Sequence, residues 1–276
     1  MLISIKDPRE DELFPELKRI GYDGIDVKLS VWENRELILS REFEASIMEK
    51  YQRAYDAGLK VCQTHLTYYP GHLPPLGDGS YEAFEEYMLP IFVRGIELTA
   101  KMNCGVAVIH LYFEESKEKS RAGNLKLIEK LLPVLKKNNV ILAMENIYGP
   151  KYGEANLSCA EDMLYYTEHF KSEHLGVCLD TGHAVTRGQD PVDMLIKLGS
   201  SVKALHVHSN FKGADLHLPP TMINNVDFKK FCEVLREIGF TGAFNMEISP
   251  PKTMDPNTRI LFYAMSNGIA KGLLGE

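Results

Sequence analysis

No run in these 276 residues approaches the roughly eighteen consecutive apolar residues needed to cross a bilayer, which argues against a transmembrane helix. The opening Met1-Leu2-Ile3-Ser4-Ile5-Lys6-Asp7 has neither a cationic stretch nor a long apolar one, so no signal peptide is expected. No block of lysine or arginine stands out, and the formal net charge is -7. That weighs against a nucleic-acid partner, since phosphate backbones are held mainly by cationic surface. The cysteines Cys62, Cys104, Cys159, Cys178 and Cys232 form an odd set without a C-x-x-C pair. They read as buried free thiols in a reducing cytoplasm rather than as disulfides or thiolate metal sites. No G-x-G-x-x-G follows the first apolar run, so a dinucleotide-binding fold has no support. No linker, low-complexity segment or repeat divides the chain, and one domain over residues 1–276 is expected.

What is present is ordinary for a globular enzyme, with 45% hydrophobic and 25% charged residues. Short apolar runs alternate with longer helical ones. The strand candidates are Leu2–Ile5, Gly24–Leu29, Lys60–Leu66, Val106–Tyr112, Val140–Asn146, Leu175–Asp180, Ala204–Asn210 and Ala243–Ile248. Their continuous apolar character suits strands buried on both faces. Between them, Phe43–Ala57 stops at Gly58, and Tyr81–Met102 is expected to kink or divide at Pro90. Asn124–Lys137 carries leucines on one face, and Ser158-Cys159-Ala160-Glu161 reads as a capping box opening a helix through Phe170. Further helices are expected from Asp190-Pro191, over Asp227–Ile238 and over Asn257–Gly272. Eight β/α alternations imply right-handed crossovers, a parallel sheet and an α/β fold closed as a single (β/α)₈ TIM barrel.

Charge then interrupts the apolar runs at one end. His65, His110, Glu145 and Asp180 each lie at or near the C-terminal end of a strand candidate, His206 and His208 share one face of the seventh, and Glu247 lies on the eighth. In a barrel these C-terminal ends open onto the face that carries active sites. A lone histidine in a strand is usually a satisfied core residue, and a salt-bridge network across the mouth is the alternative reading. Six successive strands doing the same thing favours a metal centre. Glu145, Asp180, His206 and Glu247 can supply one four-ligand site. His65 and His110 can add a second that shares Glu145, and His183 with Asp215 and His217 a third. Carboxylate and imidazole donors without thiolate suit Mn²⁺, Mg²⁺, Co²⁺ or Zn²⁺. One metal suffices for sugar isomerisation, whereas two or three favour phosphoester hydrolysis. His208 reads as a substrate contact, a support for the ligands, or simply an exposed residue at the loop edge. Tyr68 and Tyr69 read as an apolar wall of a sugar pocket. Lys212, Arg187 and Lys252 fall in mouth loops where a phosphate could be held, Lys212 being the cation nearest the seventh strand.

The segments Val177-Cys178-Leu179-Asp180-Thr181-Gly182-His183-Ala184, Met144-Glu145-Asn146 and His206-Val207-His208-Ser209-Asn210 resemble the xylose isomerase-like TIM-barrel superfamily. The resemblance runs from about His65 to Glu247. Its sugar epimerases imply that Glu145, Asp180, His206 and Glu247 bind one divalent metal, that Glu145 and Glu247 form the acid–base pair, and that His183 contacts a substrate hydroxyl. The reaction implied is isomerisation or epimerisation of a sugar or sugar phosphate through an enediolate. Members are often oligomers, which the resemblance extends to a homo-oligomer here. The epimerases' arginine after the seventh strand is absent. The superfamily also contains endonuclease IV, whose three-zinc pattern is matched by His65, His110, Glu145, Asp180, His183, His206, Asp215, His217 and Glu247. That likeness implies a phosphodiesterase acting on abasic DNA, with Arg35, Tyr68 and Tyr69 as base-stack wedges. Against it, Leu218-Pro219-Pro220-Thr221 lacks the glycine-bearing loop expected after His217.

Overall fold

The computed structural model describes residues 1–8, 10–30, 35–69, 77, 79–114, 116–148 and 157–276. Eight strands follow one another around one sheet: β1 (Ile3–Lys6), β2 (Gly24–Lys28), β3 (Lys60–His65), β4 (Val106–Ile109), β5 (Ile141–Glu145), β6 (Leu175–Asp180), β7 (Val202–His206) and β8 (Phe244–Met246). Neighbouring strands from β1 to β7 pair in parallel, and β1 also pairs in parallel with β8. The seam between β7 and β8 closes through one parallel bridge, Val207 with Met246. There the Val207 N–H donates to the Asn245 carbonyl at 2.8 Å and the Glu247 N–H to the Val207 carbonyl at 3.1 Å. The expected (β/α)₈ barrel is the fold.

The outer layer consists of α1 (Phe14–Ile20), α2 (Arg35–Leu39), α3 (Arg41–Asp56), α4 (Tyr81–Lys101), α5 (Lys117–Asn138), α6 (Ala160–Phe170), α7 (Thr181–Thr186), α8 (Pro191–Leu198), α9 (Phe228–Glu237) and α10 (Pro256–Leu274). Pro90 does not divide α4, because Met88, Ile91 and Phe92 are buried around it and packing outweighs the missing backbone donor. Helix α5 begins seven residues before the expected Asn124, where the Ser116 hydroxyl accepts from the Lys119 N–H at 3.3 Å. Cys159, not Ser158, is the N-cap of α6, and its side chain makes no capping bond, so the expected capping box does not form. The short helices α1, α2 and α7 were not signalled by the apolar pattern. All five cysteines are unpaired. Among the described residues no helix is long and apolar enough to cross a membrane.

The interior of the barrel explains how the site arises. Val108, Ala143, Cys178 and Ala204 form a small buried cluster separate from the main core. These are the inward positions of β4 to β7, and period-two geometry carries each inward residue two steps on to the next inward position. Thus Val108 leads to His110, Ala143 to Glu145, Cys178 to Asp180, and Ala204 to His206. On the other half the inward layer is polar. Ser4 leads to Lys6, Gln63 to His65 and Asn245 to Glu247, while Gly24 leads to Asp26 and then Lys28. Ser4, Asp26, Gln63 and Asn245 are all buried. Every strand therefore delivers a polar side chain to one mouth.

Candidate functional site

A cleft of about 120 Å³ opens at the C-terminal ends of the strands. Its wall holds the expected His65, His110, Glu145, His183 and Glu247, together with Lys6, Asp26 and Lys28, which the apolar pattern had not flagged. Asp215 and His217 line one flank. On another flank the Tyr68 ring stacks on His110 with centroids 4.7 Å apart, and Lys28 Nζ lies 5.0 Å from the Tyr68 centroid.

The centre is built on His206. Its Nδ1 lies 3.0 Å from Glu145 Oε1, 3.2 Å from Glu247 Oε2 and 3.8 Å from Asp180 Oδ2. Donor atoms of these four residues lie within 4.8 Å of one another, and all four side chains are buried. Ligands about 2.1 Å from a metal sit about 3.0–3.4 Å apart along octahedral or tetrahedral edges. The two shortest separations around His206 match that spacing. Two more compact donor groups flank the centre, His65 with His110 and Glu145, and His208 with His217 and Glu247. The second differs from the expected trio of His183, Asp215 and His217. Those residues meet only through Asp215 Oδ2, 3.8 Å from His183 Nε2 and 3.2 Å from His217 Nε2.

Backbone carbonyls fix several imidazoles. His65 Nδ1–H donates to the Leu66 carbonyl at 2.9 Å, His183 Nδ1–H to the Asn146 carbonyl at 2.8 Å, and His217 Nδ1–H to the Glu247 carbonyl at 2.8 Å. Each bond leaves Nε2 of the neutral ring as a lone pair, the arrangement that metal-binding histidines adopt. The neutral His110 ring can donate Nε2–H to Glu145 Oε2 at 2.8 Å, while His65 Nε2 meets the same oxygen at 3.1 Å. A lone pair facing a carboxylate oxygen at such distances needs a positive charge between them. Either a proton or a metal ion supplies it.

Burial presses the Glu145 carboxyl upward, yet His206 and His110 outweigh it and hold the group well below the usual carboxylate range. Burial likewise opposes ionisation of Glu247, and Lys6, His206 and His217 reverse it. Burial disfavours charge on His206 and His183, but the surrounding anionic groups raise both well above the ordinary imidazole value. For His110 burial wins and lowers it. Burial pushes the Cys178 thiol up to about 12, so it stays protonated and the donor set remains oxygen and nitrogen. That set fits a hard or borderline divalent cation.

Supporting groups hold the four donor residues still. Asn146 Nδ2–H donates to the Asp180 carbonyl at 2.9 Å and Asn146 Oδ1 accepts from the Asp180 N–H at 2.7 Å, clamping β5 to β6. Asp180 Oδ1 caps α7 by accepting from the His183 N–H at 2.6 Å. His208 is fully buried, with Nε2 3.0 and 3.1 Å from the two Asp180 oxygens. It stands behind Asp180 rather than in the cleft wall. Lys6 Nζ–H donates to Glu247 Oε1 at 2.8 Å. Asn210 orders the loop after β7: its Oδ1 accepts from the Leu216 and His217 N–H groups at 2.6 and 3.2 Å, and its Nδ2–H donates to Asp215 at 3.0 Å. Lys212 is exposed and lies beside Gly188, outside the cleft wall. Tyr69 packs on Tyr87, 6.2 Å between centroids, and not into the cleft. The Arg35 side chain lies outside the described residues.

The description xylose isomerase-like TIM barrel matches residues 11–261, nearly the whole chain. The chain belongs to the xylose isomerase-like TIM-barrel family. Within 126 residues it is 26% identical to an uncharacterised protein of Methanocaldococcus jannaschii, covering 45% of this chain and 42% of that relative's length. In three dimensions it is similar to a D-psicose 3-epimerase crystallised with D-fructose, with TM-score 0.79, 14% identity and complete coverage of both chains. It is also similar to a D-tagatose 3-epimerase-like protein, with TM-score 0.75 and 18% identity over 100% of this chain and 97% of the other. At these identities the two structural likenesses establish the shared barrel fold.

Proposed function

We propose that this chain is a divalent-metal-dependent isomerase or epimerase of a sugar or sugar phosphate, with Glu145 and Glu247 as its acid–base pair. The observation that carries the reading is the placement of these two ionised carboxylates, from β5 and β8, 3.0 and 3.2 Å from one imidazole nitrogen at the mouth of the cleft. Glu145, Asp180, His206 and Glu247 would hold Mn²⁺, Mg²⁺, Co²⁺ or Zn²⁺. When bound, the metal polarises a substrate carbonyl and stabilises negative charge on its oxygen. Glu145 and Glu247 then stand on different strands, so one can take a proton from the carbon beside that carbonyl and the other can return one, by way of an enediolate. His183 and Tyr68 line the cleft and would orient hydroxyl groups. The names of the structural relatives support a sugar as substrate. The unpaired cysteines support a cytoplasmic setting, and the closed barrel supports one functional domain over residues 1–276.

Exchange of substrate carbon-bound hydrogen with deuterated water tests this. Glu145→Gln and Glu247→Gln are each expected to slow exchange by about 10²–10⁴-fold. Full exchange in either variant would remove that residue from the acid–base pair. A second reading, a multi-zinc phosphodiesterase resembling endonuclease IV, draws support from the two flanking donor groups. It requires about three metals per chain and incision of abasic DNA that weakens steeply with salt. Elemental analysis together with a nuclease assay separates the two.

A further inference from the structure

Asp26 sits in mid-strand on β2, pointing into the barrel, 4% exposed. A buried carboxylate is costly unless something uses it. Its Oδ2 accepts from Gln63 Nε2–H at 3.0 Å and from Asn245 Nδ2–H at 3.2 Å, and lies 3.3 Å from His206 Nε2. The Asn245 amide is itself oriented, because its Oδ1 accepts from the Ser4 hydroxyl at 2.8 Å. Three strands, β1, β3 and β8, thus hold one carboxylate oxygen against the rear nitrogen of the imidazole whose front nitrogen faces Glu145, Glu247 and Asp180. Neither Asp26 Oδ1 nor His206 Nε2 makes a hydrogen bond among the described residues, and the 3.3 Å approach of Asp26 Oδ2 is the charged contact that faces Nε2. Repulsion between lone pairs forbids a bare Nε2 opposite the Asp26 oxygen, so Nε2 carries hydrogen. In the neutral ring Nδ1 is then the free lone pair, directed at the three carboxylates.

We propose that Asp26 is a positioning residue for the metal centre: held by Gln63 and Asn245, it fixes His206 as the Nε2–H tautomer and presents Nδ1 as the ligand atom. This rests on the metal-centre reading and adds a carboxylate–histidine–metal relay to it, in which the rear carboxylate also strengthens the ligand's basicity. Asp26 also lines the cleft wall, and its contact with the four donor residues is the one it makes with His206. It acts only through His206.

Two measurements on the full-length protein test it. Titration with Mn²⁺ should give an Asp26→Asn variant about 10–100-fold weaker affinity than the parent. Its metal-free circular dichroism should match that of the parent. In the Zn²⁺-loaded parent, long-range ¹H–¹⁵N correlation of the imidazoles should show His206 protonated at Nε2. The Nε2–H proton should lie downfield in the parent and move upfield in Asp26→Asn, a change that a merely structural Asp26 would not produce. Mn²⁺ affinity within twofold of the parent, or a His206 protonated at Nδ1, overturns the proposal and leaves the metal centre standing. A parent chain that binds no divalent ion overturns the metal reading itself, and the role of Asp26 falls with it.

Discussion

Replacing Gly182 with alanine provides a sensitive test of how tightly this site is packed. Gly182 lies between Asp180 and His183 at the start of α7, and its backbone passes directly beneath the loop after β7. A Cβ there would stand 2.0 Å from His208 Cε1, 2.4 Å from His208 Nδ1 and 2.5 Å from Asn210 Nδ2. Both side chains are fully buried, so neither can swing into solvent. His208 must move, and with it the two contacts of 3.0 and 3.1 Å that brace Asp180. Overpacking of this kind costs about 1–3 kcal/mol, and disturbing a buried bond to a charged group adds about 1.5–3 kcal/mol. A loss near 3 kcal/mol lowers Tm by about 6–12 °C in a chain of this size. Differential scanning calorimetry with chelator present reads that loss without metal, and Mn²⁺ titration reads the displaced Asp180. Gly268 provides the control. It lies in α10, where an added methyl group would meet nothing within 4 Å. There alanine should stabilise by about 0.5–1 kcal/mol through helix propensity. A Gly182→Ala protein with Tm within about 1 °C of the parent and unchanged Mn²⁺ affinity would refute the claim that His208 is locked behind Asp180.

Two further outcomes concern protons. In metal-free protein, the depressed Glu145 and Glu247 contribute stability that is complete above their ordinary value of 4.5 and lost as pH falls through their folded values. The raised His183 and His206 contribute stability that is complete below 6.5 and lost as pH rises through theirs. Site-derived stability should therefore be greatest between pH 4.5 and 6.5, and Mn²⁺ should raise Tm more at pH 8 than at pH 5.5 because it no longer competes with protons. An equal Mn²⁺-induced shift at both pH values would contradict this. Lys6→Met removes the ammonium that donates to Glu247 at 2.8 Å, so the acid limb of the kcat/KM profile should move to higher pH. An unmoved limb would mean that Glu247 does not govern it.

The fold was legible because the strands are short and largely apolar runs, and glycine and capping residues mark many helix ends. Gly58 and Gly239 adopt φ of +81° and +66°, and Asp190 and Asp227 cap α8 and α9, as their positions suggested. Pro90 was misleading because local propensity could not register the burial around it. The candidate site was legible wherever a residue type typical of metal ligands ended an apolar run. Lys6 and Lys28 escaped because a lysine at a strand end looks solvated, and Asp26 because it lies inside its run. Period-two reading from Ser4 and Gly24 would have found all three. His208 could not be separated from His206 by spacing alone. Only the close approach of Gly182 and the buried Asp180 contact place it behind Asp180.

The barrel's thinnest joint coincides with its chemical centre. A single bridge fastens β7 to β8, and its neighbours along the two strands are His206 and Glu247. Elsewhere around the ring, opening would have to break a ladder of backbone bonds; here it has to pull apart a pair of side chains that converge on the same point. An ion held by both would act as a rivet through that joint. The amide protons of Val207 and Glu247, which form the bridge, are thus natural reporters of whether the ring is fastened, since their exchange with solvent follows the breathing of this joint.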